Sequence, residues 1–369
     1  MTTRALRPST ISSGLVRRRW LTATGAATVA SVVMLGLAPT AAQAAVTETT
    51  VELPFTSVSD VVASSSKVFV SGGRTSSTIV VTSPSGANQR LIDNLPGPTD
   101  LELSPDGGVL YVALPNANEI AAINTATLQE TARWETGLGE CPSSLAVAEQ
   151  TLWFGYGCDQ WGGNIGRIDL GAQSPAVATG LSPVGFYAHP LLSAGRDDSA
   201  RLFAAQPVLS PSSVTVFSIA AGGTLERIGQ TEHTAVGSNL RDIAIAPDAD
   251  TFYTASGAPY EIVQFKSDQL SVARRRFVTG PYPNAVEVSH DGTQVAAAAD
   301  GNGLYVFRPT SAQPTKLSLT GSQSVIDRGI AWAPSGARLY AVTARSWASE
   351  PPPAVLHIYT ASITASRIA

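Results

Sequence analysis

The stretch Asp100 to Gly137, DLELSPDGGVLYVALPNANEIAAINTATLQETARWETG, decides the fold. It reads as an alternating strand, a Pro105-Asp106-Gly107 turn, a second strand over Val109 to Ala113, an Asn-rich loop, a third strand over Glu119 to Asn124, a turn, and a fourth strand over Glu130 to Glu135. Four short antiparallel strands in about 43 residues make one blade of a propeller.

The same grammar returns along the chain. Innermost strands open at Asp60-Val61-Val62, Asp100-Leu101-Glu102, Ser144-Leu145-Ala146, Asp242-Ile243-Ala244, Ala285-Val286-Glu287 and Gly329-Ile330-Ala331. Successive starts lie about 40 to 44 residues apart, and the gap from Ser144 to Asp242 is about twice that, so it holds one more blade. This hidden fourth blade spans Pro183 to Gly237, with strands at Arg201 to Ala205 and Ser213 to Ile219 and a first turn enlarged by Ala194-Gly195-Arg196-Asp197-Asp198. Each second strand carries large side chains between small ones, as in Val68-Phe69-Val70, Leu110-Tyr111-Val112 and Leu339-Tyr340-Ala341, which suits packing between neighbouring blades rather than a cofactor box. The expectation is an all-β, seven-bladed propeller of four-stranded antiparallel blades. Its ring is closed by Thr47 to Pro54, which supplies the fourth strand of the seventh blade and pairs with Ala354 to Tyr359, removing two sheet edges. Thr360 to Ala369 reads as a frayed end in preference to the beginning of a further module.

The runs Ser104-Pro105-Asp106-Gly107, Leu110-Tyr111-Val112-Ala113 and Asn118-Glu119-Ile120-Ala121-Ala122-Ile123-Asn124-Thr125 resemble the repeat of YVTN-type propellers, the family of surface-layer and periplasmic YncE-like proteins. The resemblance covers nearly all of the chain after its leader. It departs from the name-giving residues at Ala113 and Leu114, and because that motif is structural the resemblance implies the propeller and puts no weight on function. WD signatures are absent.

Residues 1–44 read as a cleaved leader, with a basic start (Arg4, Arg7, Arg17, Arg18, Arg19), an apolar run from Leu21 to Leu37 and a small-residue site at Ala42-Gln43-Ala44. Arg17-Arg18-Arg19-Trp20-Leu21 resembles a twin-arginine signal, the other reading being an ordinary secretory one. Residues 45–369 then form one propeller domain, secreted or cell-surface associated. The leader carries five arginines and no acid in a chain whose formal net charge is −4, so its removal leaves the folded part more acidic still. That argues against nucleic acid as a partner. No later stretch is long and apolar enough to span a bilayer, and a monomer is expected. Arg274-Arg275-Arg276 falls in an outer strand and reads as a solvated edge. Cys141 and Cys158, in an exported chain, are expected to form a disulfide.

In a propeller, the loops entering the innermost strands and those joining second strand to third share one face around the channel mouth. They bring Asp60, Asp100, Arg241, Asp242, Asn284 and Arg328 together with Tyr156, Trp161, Tyr282 and Trp347. Two roles stand open for the charged set: the aspartates bind a polar ligand beside an anion-gripping arginine, or they cap the channel by accepting backbone N–H groups. The scattered histidines form no triad or metal motif, so neither a metal nor a cofactor is expected. The favoured reading is a non-catalytic binding scaffold for a cell-envelope polymer or an exported protein. The alternative is a propeller enzyme of lactonase or quinone-cofactor dehydrogenase type, for which the mouth offers Asp and Arg without a His.

Overall fold

The computed structural model describes residues 46–197, 200–207, 209–231, 233–301, 303–321, 323–345 and 349–360. The expected leader, Trp347 and the tail after Thr360 lie outside the described residues. Period-two sequence becomes strand throughout: among the described residues there are seven four-stranded antiparallel sheets and one turn of helix, His233–Val236. The innermost strands, in order, are Asp60–Ala63, Asp100–Leu103, Ser144–Ala148, Leu191–Ala194, Ser238–Ile245, Pro283–Val288 and Ser324–Trp332. Each packs on the next and the last packs on the first, so the ring is closed. No helix among the described residues is long and apolar enough to cross a membrane.

Alternation in the second strands divides each strand between two cores. Val68 and Val70 pack with Tyr340 and Leu356 of the seventh blade, while Phe69 between them packs with Leu101, Leu110 and Val112 of the second. The pattern repeats around the ring: Tyr111 faces blade three, Trp153 blade four, Phe203 blade five and Tyr253 blade six. Seven apolar clusters, one at each blade-to-blade boundary, therefore take the place of one central core. At about 25 cal/mol per Å² of apolar surface removed from water, these boundaries are the main source of the fold's stability.

The ring is sealed as the alternation of residues 47–54 requires. Thr47–Glu52 pairs antiparallel with Val355–Thr360 as the outermost strand of blade seven. Thr360, expected in the frayed tail, belongs to this strand, and Thr47 Oγ1 donates to its carbonyl at 3.0 Å. Glu48 is the centre of the seam: Oε1 receives the Tyr359 hydroxyl at 3.1 Å and the Thr320 N–H at 3.1 Å and lies 2.7 Å from His357 Nδ1. On its other side His357 Nε2 meets Thr343 Oγ1 at 2.9 Å, and that hydroxyl donates to Gln323.

Candidate functional site

In a four-stranded antiparallel blade, the loops entering the first strand and those joining second to third must lie on one face, here the loop face. The first-to-second turns lie on the opposite, turn face. Asp60, Asp100, Ser144, Leu191, Asp242 and Ala285 occupy the same register at the loop-face end of the innermost strands. At this level side chains tie each blade to the next. Asp60 Oδ2 accepts the Leu101 N–H at 2.7 Å, Asp100 Oδ2 that of Leu145, Ser144 Oγ that of Leu192 at 2.8 Å, and Asp242 Oδ2 that of Val286 at 2.8 Å.

The exceptions follow from residue type. Leu191, Ala285 and Gly329 offer no side-chain acceptor to the blade that follows them. After Leu191 and Gly329, Asp242 and Asp60 turn their Oδ1 atoms onto their own next N–H groups, Ile243 and Val61, each at 2.8 Å. Asp100 follows Asp60, which has already taken the Leu101 N–H, so its Oδ1 is left for Arg328 at 2.8 Å.

Arg328 reaches the mouth because the strand carrying it is irregular. The innermost strands of blades five, six and seven break register between Leu240 and Asp242, Pro283 and Ala285, and Val325 and Ile330. The extra residues are Arg241, Asn284 and a segment containing Asp327 and Arg328, so the bulges aim the charged side chains inward. Arg328 takes a left-handed backbone, φ 59°, and also donates to the Thr99 carbonyl at 3.0 Å. Burial opposes its charge, but Asp100, Asp60 and Asp242 outweigh that and hold its pKa above the ordinary arginine value. Burial raises Asp60, reinforced by Asp100, and likewise raises Asp242, so both carboxyls hold their protons more tightly than in water. Arg241 pairs with Asp327 at 3.0 Å, and the Asn284 amide donates to Asp300 and to the Val325 carbonyl.

Two groups at this mouth escape a reading of the sequence, Arg74 and His189. Arg74, from the loop joining the second and third strands of blade one, donates to Ser143 Oγ at 3.0 Å. His189 enters with the segment before blade four. That segment can approach because Gly155 and Gly163 of blade three carry no Cβ, which would collide with the Pro190 and Ala188 carbonyls. Burial, then the charges of Arg74 and Arg328, pull His189 down to about 4, so the imidazole is neutral at physiological pH. The rule that loop-face residues line the mouth would have found both, but the long connection of the fourth blade hid His189.

The aromatic candidates separate. Tyr156 is buried between blades two and three, and its hydroxyl accepts the Gly180 N–H at 2.8 Å. Trp161 is 77% exposed with φ 65°, its ring edge-on to Tyr187 at 5.0 Å and its N–H donated to the Tyr187 carbonyl at 2.7 Å. Tyr282 is half-exposed and edge-on to Tyr260 at 5.1 Å. The expected disulfide between Cys141 and Cys158 joins the loop bearing fully exposed Leu138 to the loop bearing Trp161. Among the described residues no three His, Cys, Asp or Glu side chains are grouped to hold a metal ion.

No known family profile matches the chain, and no curated protein matches it by sequence. Among solved structures, 1712 chains are similar in fold. A chain in the crystal structure of the mitotic checkpoint complex superposes with a TM-score of 0.66 over 94% of this chain and 99% of that one, at 14% identity. Identity that low establishes the shared propeller architecture and nothing about activity.

Proposed function

We propose that this chain is an exported binding scaffold of the YVTN and YncE-like kind, whose loop face docks another exported protein. The observation that carries this reading is Trp161. A large apolar side chain stands in solvent while its backbone is held in a left-handed conformation, its N–H is bonded and its loop is tethered by the Cys141–Cys158 disulfide. Rigid, exposed aromatics lose little entropy on binding and are the usual anchors of protein interfaces. Tyr260, Tyr282 and Leu138 extend the apolar content of the same face. The propeller from the mitotic checkpoint complex is itself solved in a protein assembly, and the leader and the disulfide fit an exported chain.

The test is cross-linking of the secreted protein in its own host, followed by pull-down with the Trp161→Ala, Tyr282→Ala double variant. Loss of a specific protein band with unchanged thermal unfolding supports the reading. Co-sedimentation with cell-wall polymer and no protein band would replace the partner with an envelope polymer. One second reading, a lactonase-type hydrolase, rests on His189, a neutral imidazole in the charge field of Arg74 and Arg328. Turnover of a lactone panel that His189→Ala abolishes would establish it.

A further inference from the structure

Arg328, bonded to Asp100 and the Thr99 carbonyl, stands at the loop-face end of the channel. Beyond it lies a cavity of about 760 Å³ that runs between the innermost strands to the turn face. Two residues along from the aspartate level, Val62, Ala146, Ser193 and Ala331 present small or apolar walls, while blades two and six present Glu102 and Glu287.

The charges in this cavity do not balance. Its carboxylates are Asp60, Asp100, Asp242, Glu102 and Glu287, and its guanidinium groups are Arg328 and Arg196. Arg328 is committed to Asp100 at 2.8 Å, and Arg196, from the enlarged first turn of blade four, to Glu287 at 2.8 Å. Asp60 and Asp242, both more than nine-tenths buried, accept backbone N–H groups, Asp60 also shares a hydrogen bond with the Asp100 side chain, and neither is in an ion pair among the described residues although both lie in the field of Arg328. Glu102, half-buried, receives the Val147 N–H and feels the Arg196 charge, but is in no ion pair among the described residues. At the rim His290, drawn down to about 4 by burial and then by Arg196, is neutral, and Asp106, Glu149 and Asp197 add only negative charge.

We propose that this channel binds a small organic cation, an amine or guanidinium on an apolar stem, with Glu102 as its anchoring carboxylate. Carboxylates confined in a cavity without an ion pair demand either protons or a cation. Here they are spread over blades one, two and five between apolar walls, which suits an extended organic ion better than a metal needing ligands converged on a point. Burial first, then Asp100, lift Glu102 to about 8, so without ligand it is largely protonated near neutrality. A bound cation reverses that balance and expels the proton.

The experiment is calorimetric titration of the purified protein with 1,4-diaminobutane, in two buffers of different ionisation heat. Saturable one-to-one binding with proton release is expected, with no heat from 1,4-butanediol. Affinity should fall at least about tenfold from about pH 8 to about pH 5.5 as protons compete for Glu102. Glu102→Gln should weaken binding by at least about tenfold with the circular dichroism unchanged, and Trp161→Ala should leave it unaltered. The proposal is overturned by no saturable heat up to about ten millimolar, by equal binding of the diol, or by affinity that does not change with pH. The pH series needs only the wild-type protein, so it decides the matter even if Glu102→Gln does not fold. Loss of the loop-face partner bears on docking at that face and leaves cation binding in the channel untouched.

Discussion

The two ends of the channel are built from the same seven strands and yet differ in charge. At the loop face, bulges in blades five and seven insert Arg241 and Arg328, each in an ion pair. At the turn face the strands are regular and the enlarged turn of blade four inserts Arg196. Regular strands carry only what the period-two pattern puts on the channel wall, which is small residues and two glutamates. Insertions decide which end is balanced and which stays acidic.

Removing Arg328 should show the largest effect. Arg328→Met strips the cation from Asp100, Asp60 and Asp242 and should cost about 3–5 kcal/mol in urea unfolding at neutral pH. A loss below about 1 kcal/mol would mean that the loop-face end is no better balanced than the turn-face end. Next is the loop-face tether. Replacing both Cys141 and Cys158 by Ala, which opens a loop of sequence separation 17, should cost about 3 kcal/mol and raise amide exchange around Trp161. Smaller again are the blade-to-blade hydrogen bonds. Asp242→Ala orphans the Val286 and Ile243 N–H groups and should cost about 2 kcal/mol, against about 1 kcal/mol for Ser144→Ala, which orphans one. Equal costs would show that these bonds do not set the strength of the ring.

The sequence made the ring legible because each blade repeats its own grammar, and the offset of Thr47–Glu52 before Asp60 disclosed the seam. The mouth was legible as a set of loops but not as a geometry. Nothing in Leu240-Arg241-Asp242 or Ile326-Asp327-Arg328-Gly329 distinguishes a bulge from a strand that simply starts later, and the bulge is what turns Arg328 onto Asp100. Glu102 was hidden for a different reason. In Asp100-Leu101-Glu102-Leu103 it alternates as a solvent-facing residue should, but in an innermost strand the outward side is the channel. Alternation reports which side a residue faces and says nothing of whether bulk water lies there.

That ambiguity yields the finest test, because the seam and the channel respond to pH with opposite sign. At the seam, burial lowers His357 below the ordinary histidine value, and in Glu48 the bonds from Thr320, His357 and Tyr359 overcome the upward pull of burial. Both groups bind protons more weakly folded than unfolded. Their stabilisation is therefore in place above the unfolded values, about 6.5 and 4.5, and is lost as pH falls. Glu102 is raised to about 8, so its folded form binds the proton more tightly. Its contribution is complete below the unfolded value of about 4.5 and is lost as pH rises through about 8. Glu102→Gln removes the titrating group while keeping an acceptor for the Val147 N–H. Its urea midpoint should match wild type at about pH 5 and exceed it at about pH 8, whereas Glu48→Gln should lower stability and flatten the acid limb instead. If Glu102→Gln leaves the alkaline slope unchanged, Glu102 faces bulk water as its alternation suggested, and the contrast between the two ends of the channel reduces to the position of Arg328.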